Sequence, residues 1–221
     1  MNMEELGFTN VSPTDTTSFS CLKCGKCCRN VKASIPVETI DLFRLARHLD
    51  ISTDEAMGRY TDYYFLDENG YPVLFLKTTG QDEACIFLKD TLCSMREARP
   101  RACRLYPFGA VPTDDFKDFQ YFSASKDTHH FCGDKFRIRE WFEQNFTEED
   151  RKFMQMDVQA AMGINWLIRA IPEGRKGKMV LSIILLKYTL FDRKADFLSQ
   201  FISNMALLNN ELKNLIGETN I

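Results

Sequence analysis

The chain lacks the marks of several common protein classes. Its first residues, Met1-Asn2-Met3-Glu4-Glu5-Leu6, have neither the basic start nor the apolar core of a secretory signal peptide. No apolar run approaches the roughly 20 residues of a membrane span. The most apolar stretch, Met179 to Leu186, meets Lys187 at once. Positive charge is not in excess either: 28 Lys and Arg stand against 31 Asp and Glu, for a net charge of −3. That balance disfavours a nucleic-acid binder, whose affinity rests on neutralising phosphates. Gly-x-Gly-x-x-Gly, the P-loop and Gly-x-Ser-x-Gly are all absent, so nucleotide binding and nucleophile-elbow chemistry have no signature here. No repeat of solenoid length is present. The expectations that remain are a cytoplasmic protein with no membrane span and no nucleic-acid partner.

Apolar residues, by contrast, are plentiful. They make up 44% of 221 residues and include 18 Phe, enough for a core that needs no disulfide to close it. The eight cysteines therefore read as metal ligands or redox thiols of a reducing compartment rather than as staples.

The fold expected is α+β and helix-rich: a small cysteine-rich, metal-centred module with a short β-hairpin and helices, followed by a helical C-terminal region. Residues 1–18, polar and rich in Ser and Thr, read as a flexible leader. Residues 19–134 form the cysteine module and 135–221 a helical region packed on it. Val37, Ile40, Phe43, Leu45, Ala46 and Leu49 recur at helical spacing, with a start at Ser34 or Pro36. Ser52-Thr53-Asp54-Glu55 is a capping box opening a second helix. Tyr63–Leu66 and Val73–Leu76 flank Asp67-Glu68-Asn69-Gly70 as a hairpin, and Ile86-Phe87-Leu88 reads as a further short strand. A helical turn over Met95–Arg99 is stopped by Pro100, and residues 107–134 read as loop or weak strand. Phe136–Phe146 is helical. Thr147 caps a helix running to about Ile171, and a last helical region spans Lys178–Ile216, broken near Phe191-Asp192.

Chemistry concentrates in Cys21-Leu22-Lys23-Cys24-Gly25-Lys26-Cys27-Cys28-Arg29, which holds half of the cysteines. Two residues between cysteines let both sulfurs of a tight turn reach one ion. Gly25 permits the positive φ that points backbone N–H groups at sulfur. With Cys27 the run becomes Cys-x-x-Cys-x-x-Cys, the ferredoxin-like ligand spacing, whereas four-thiolate zinc sites are usually two separated pairs. This favours an iron–sulfur cluster, with zinc as the alternative. Cys24 and Cys28 have three residues between them, as the radical S-adenosylmethionine pattern requires, but Val31 stands where that pattern needs its third cysteine. Adjacent side chains usually point apart, so Cys27 and Cys28 are expected to face two centres. Cys85, Cys93 and Cys103 would join one of them, and Cys132 would complete the other set; a single centre with spare thiols is the competing arrangement. His129 and His130 precede Cys132 and are within reach of a ligand role, although loop histidines more often have none. Four thiolates about Zn²⁺ or an oxidised cluster leave a charge of about −2. Lys23, Lys26, Arg29 and Lys32 near the first run, and Arg96, Arg99, Arg101 and Arg104 near Cys103, are placed to offset it or to form a solvated basic surface.

Cys-x-x-Cys-Gly-x-Cys-Cys-Arg, then Cys85-Ile86-Phe87-Leu88, Cys93, Arg99-Pro100-x-x-Cys103-Arg104-x-Tyr106-Pro107-Phe108 and Cys132-Gly133, resembles the YkgJ-type cysteine-cluster family, described as zinc- or iron-chelating. The resemblance covers residues 19 to 134. It implies metal binding by Cys21, Cys24, Cys27, Cys28, Cys85, Cys93, Cys103 and Cys132, and carries no established substrate. Flagellin lysine methylases have a related cysteine pattern. The expected function is an iron–sulfur protein, 4Fe–4S in type, with an electron-transfer or redox role and an unidentified redox or protein partner. A zinc-stabilised interaction module is the alternative, and a methylase-like group-transfer enzyme the third.

Overall fold

The computed structural model describes residues 8–65, 68–123 and 130–217. The expected flexible leader contains two strands, β1 (Thr9–Val11) and β2 (Thr16–Ser18). Helix α1 (Thr39–Leu49) starts three residues later than Pro36, with Glu38 and Asp41 forming its capping box. The delay has a cause. Residues 35–37 are extended because Val37 N donates to the Leu74 carbonyl (2.9 Å) and Leu76 N to that of Ile35 (3.0 Å). Ser52 caps α2 (Thr53–Tyr60) by accepting from Glu55 N.

The hairpin expected from the sequence is β3 (Thr61–Phe65) and β4 (Pro72–Leu76), with Tyr63 opposite Leu74; Leu66 and Asp67 lie outside the described residues. Two ribbons follow, β5 (Thr78–Thr79) with β6 (Ala84–Cys85) and β7 (Leu88–Lys89) with β8 (Leu92–Cys93). Pro100 does not stop a helix. It stands at the N-cap of α3 (Arg101–Leu105), while residues 94–98 form turns. A proline at a helix start forfeits no hydrogen bond, since that N–H would have no helical partner.

Beyond α3 come β9 (Phe108–Pro112), β10 (Phe119–Ser123) and β11 (Lys135–Arg137). Then follow α4 (Ile138–Asn145), α5 (Glu148–Ile168) capped by Thr147, and α6 (Lys176–Ile183). A π-helical turn, Ile184–Thr189, leads to the break before α7 (Phe197–Gly217).

Strands β1, β10 and β9 form an antiparallel sheet in that order, and β2 pairs with β11, Thr17 opposite Phe136. A polar N-terminal segment serves as an edge strand because pairing uses only backbone groups.

One hydrophobic core joins the cysteine module to the C-terminal helices. Leu42, Leu45, Leu74 and Leu76 pack with Ile164, Leu167, Met179, Ile183, Leu208 and Leu212. A second core lies between the three-stranded sheet and α4, around Phe108, Ile138, Phe142 and Phe146. A third is aromatic, with Phe43 of α1 against Phe153, Phe197 and Phe201. Full burial of a Leu or Phe contributes about 1.5–3 kcal/mol, so these shared cores tie the helices to the cysteine-bearing loops. The fold is helix-rich α+β, as its sequence predicts. Among the described residues no helix is long and apolar enough to cross a membrane.

Candidate metal centre

The Cys21–Cys28 run is shaped by Gly25. Its φ of +70° places it in the left-handed region, where it caps a 3₁₀ turn, Lys26–Cys28, closed by Cys28 N on the Gly25 carbonyl at 3.0 Å. A Cβ at Gly25 would stand 3.2 Å from both Cα and O of Thr91. The absent side chain thus lets the knuckle dock on the turn of the β7–β8 ribbon, which carries Cys93. Just beyond, Asn30 N and Val31 N donate to the carbonyls of Asp82 (2.8 Å) and Glu83 (3.2 Å), in the turn before Cys85. Arg29 pairs with Asp82 and donates to the Asp90 carbonyl at 3.0 Å, and Lys32 pairs with Glu83 at 3.3 Å. Arg29 and Lys32 therefore bind the first cysteine run to the loops of the next two.

Cys103 rides on the short helix α3, held from both sides. Asp41 of α1 accepts from Arg101 N (2.9 Å), and Glu38 takes Arg101 in a bidentate pair (2.7 and 2.6 Å). Arg104 donates twice to the fully buried Asp150 of α5 (3.0 and 2.8 Å), which also accepts from Arg44 of α1 at 2.5 Å and from Thr147. Burial works against the Asp150 charge, but the Arg104 hydrogen bond and the charges of Arg44 and Arg104 outweigh it and hold the carboxyl far below the usual range. Asp41 moves the other way. Burial, and then the neighbouring Glu38, push it up to about 7. Of the four arginines expected near Cys103, Arg101 and Arg104 are thus engaged by carboxylates, while Arg96 and Arg99 face the cysteines.

Six of the eight cysteines, Cys21, Cys27, Cys28, Cys85, Cys93 and Cys103, line one cavity of about 610 Å³. Cys24 lines an adjoining hollow of about 30 Å³ that shares Cys21, Cys27, Cys28, Cys93 and His130 with it. Cys132 lines neither. His129 lies outside the described residues, whereas His130 is 4% exposed and faces both spaces. Its Nε2 is 3.2 Å from Cys24 Sγ. None of the eight cysteines forms a disulfide.

The vicinal pair departs from expectation. Cys27 and Cys28 do not point apart: their sulfurs are 3.8 Å apart, because both residues sit on the 3₁₀ turn, where successive side chains need not alternate as they do in a strand. That hydrogen bond, and then burial, drive the Cys27 thiol well above its ordinary range, while the same bond lowers Cys28 against the cost of burial. Burial pushes up the Cys85 thiol, and burial followed by the nearby Cys85 and Cys93 pushes up Cys103. Burial opposes the Arg99 charge, but its hydrogen bond to Cys93 and the charges of Cys93, Cys103 and Cys21 raise it.

Among the described residues no three His, Cys, Asp or Glu side chains are drawn together into a formed coordination sphere. The donor set nonetheless fits a thiophilic cation. Partly buried thiols that raise one another's pKa are costly to ionise together, and a bound cation offsets that cost.

The sequence offers Tyr106 and Phe108 as wall residues that dry the site; Tyr106 does line the cavity, Phe108 does not, and Phe19 and Trp141 beside Tyr106 were missed. Phe19 meets Trp141 at 5.2 Å between ring centroids, and meets Tyr106 and His130 at 6.1 and 6.0 Å. Trp141 is anchored by its Nε1 on the Leu105 carbonyl at 3.0 Å. No spacing rule signals this wall, since Trp141 comes from α4 and Phe19 from the segment before the first cysteine.

Comparison with known proteins points the same way. The CxxCxxCC family model, described as "Putative zinc- or iron-chelating domain", matches residues 20–133. An uncharacterized protein of Methanocaldococcus jannaschii is 37% identical over 93 residues, covering 41% of this chain and 45% of its own length. The chain thus matches less than half of that relative. No solved structure matches.

Proposed function

The chain belongs to the CxxCxxCC family of zinc- or iron-chelating domains, and we propose that its cysteine-lined cavity holds an iron–sulfur cluster with an electron-transfer or redox role. The observation that carries this reading is the convergence of six thiols from four separate segments on one space of about 610 Å³. A single tetrahedral ion takes only four donors, each about 2.3 Å away when the donor is sulfur. A polynuclear cluster takes its thiolates from around its periphery, which suits cysteines spread over the cavity wall. A 4Fe–4S cluster would draw four ligands from Cys21, Cys24, Cys27, Cys28, Cys85, Cys93 and Cys103. When bound it supplies a one-electron couple to an unidentified redox partner.

The chain's own residues set the surroundings. Arg99 and Arg96 bring positive charge to a thiolate-rich site, and the Phe19, Tyr106 and Trp141 rings that also line it limit water there.

Zinc is the second reading, favoured by a separate observation. Thiolates about 2.3 Å from one tetrahedral ion lie about 3.8 Å from each other, and the Cys27–Cys28 separation is 3.8 Å. In that case the module would be a zinc-stabilised interaction domain.

Protein purified without oxygen decides between the two. Iron with acid-labile sulfide, and visible absorption that dithionite bleaches, is expected. Colourless protein carrying stoichiometric zinc would replace the first reading with the second, and neither metal would sink both. Cys24→Ser and Cys103→Ser should each lower metal content and solubility together, because site formation and folding are linked.

A further inference from the structure

The sulfur pattern in the sequence directs attention to eight cysteines, but the last of them is poorly placed. Cys132 lines neither the main cavity nor its adjoining hollow, whereas His130, two residues earlier, lines both. The loop is fixed in a way that favours the histidine. The His130 carbonyl accepts from Ser20 N at 3.0 Å and from Cys132 N at 2.9 Å, tying this turn to the segment that enters the first cysteine run.

The imidazole itself is held edge-on between Phe19 and Tyr106, with ring centroids 6.0 and 6.1 Å away. At 4% exposure it is not a solvated loop side chain. Its Nε2 is directed at Cys24 Sγ, 3.2 Å away. A nitrogen and a sulfur bound to one tetrahedral ion, at about 2.0–2.1 and 2.3 Å, are separated by about 3.5 Å. The Cys24–His130 pair needs to open by only a few tenths of an ångström to take an ion between them.

We infer that His130 is a metal ligand, joined with Cys24 in a mixed thiolate–imidazole donor set that an all-cysteine reading does not contain. This rests on the metal-centre reading above. Exchanging one thiolate for a neutral imidazole removes one negative charge from the site. The basic residues facing the cavity then have less to offset, and in a cluster the reduction potential rises, as it does where histidines replace cysteines on one iron of a [2Fe–2S] centre.

The test uses the full chain, purified anaerobically from cells fed ¹⁵N-histidine, alongside His130→Gln and His130→Cys. If the protein holds iron, pulsed electron paramagnetic resonance of the reduced form should show a directly coordinated imidazole nitrogen. If it holds zinc, X-ray absorption should show a nitrogen beside sulfur in the ligand shell. His130→Gln should lose that nitrogen and resist a chelator roughly 10-fold less well, or worse. His130→Cys should reload with sulfur only, and with iron its midpoint potential should be lower than in the unaltered protein. Sulfur-only coordination in the metal-loaded, unaltered protein would overturn the inference and leave the metal centre standing, even if the variants fail to fold. So would full metal retention with an unchanged spectrum in His130→Gln. Unaltered protein with neither metal would overturn both together.

Discussion

Gly25 and Thr91 are in backbone contact: a Cβ on the glycine would lie 3.2 Å from both the Cα and the carbonyl oxygen of the threonine. Two constraints coincide there, since Gly25 also has a φ of +70°. Gly25→Ala should therefore cost more than the roughly 1–2 kcal/mol of a left-handed conformation alone, because Thr91 is backbone and cannot swing away. Lower thermal stability together with reduced metal retention is expected. An alanine variant with unchanged melting temperature and metal content would count against the docking of knuckle on ribbon.

Asp150 joins α5 to both α1 and α3 through Arg44 and Arg104. Asp150→Ala would leave the mostly buried Arg104 guanidinium without a carboxylate partner and Arg44 with Glu149 alone, at a cost of about 3 kcal/mol. It should also loosen α3 and with it Cys103. Because the folded carboxyl titrates below its ordinary range, its contribution is complete above the unfolded value of about 4 and is lost as pH falls below it. Denaturant titrations of the two proteins should differ near pH 7 and converge in strong acid.

Metal uptake should be competitive with protons. The Cys85 and Cys103 thiols are raised by burial and by their neighbours, so each must give up a proton that it holds firmly at neutral pH. Zinc titrated into metal-stripped protein is expected to release protons and to bind more tightly as pH rises, with loading lost toward acid. Proton release measured in weak buffer checks this, and pH-independent zinc affinity would contradict it.

Lys187 lies on the π-helical turn, 4% exposed, with Nζ on Asp157 at 2.5 Å and on the Tyr71 hydroxyl at 2.8 Å. Burial opposes its charge, and Asp157 more than restores it. Lys187→Met should cost about 3 kcal/mol by stranding Asp157, and Lys187→Met with Asp157→Leu should recover much of that loss. Equilibrium unfolding of the single and double variants measures both.

What the sequence made legible was local. The cysteine spacing, the Gly25 turn, the hairpin across Gly70 and the Thr147 cap are each written in a few adjacent residues. The assignments that changed depend on partners far away in the chain. Pro100 begins a helix because Asp41 and Glu38 receive Arg101, and residues 35–37 stay extended because β4 pairs with them. The arginines around Cys103 look alike in sequence, and only the distant Glu38 and Asp150 mark Arg101 and Arg104 as carboxylate-bound, although Arg104 lines the cavity together with Arg96 and Arg99. His130 was visible as a candidate beside Cys132, but nothing in the sequence placed one in the cavity and the other outside it.

The antiparallel pairing of Thr16–Ser18 with Lys135–Arg137 has a thermodynamic consequence for everything between. All eight cysteines lie inside the loop that these strands close. The ends of a long segment are thereby brought together by backbone hydrogen bonds rather than by an ion, and the entropy lost in closing it is not charged against the ligands. A proline at Thr17 would disrupt this neck without touching a sulfur. Metal affinity should fall all the same, since the ion would then have to gather an open chain.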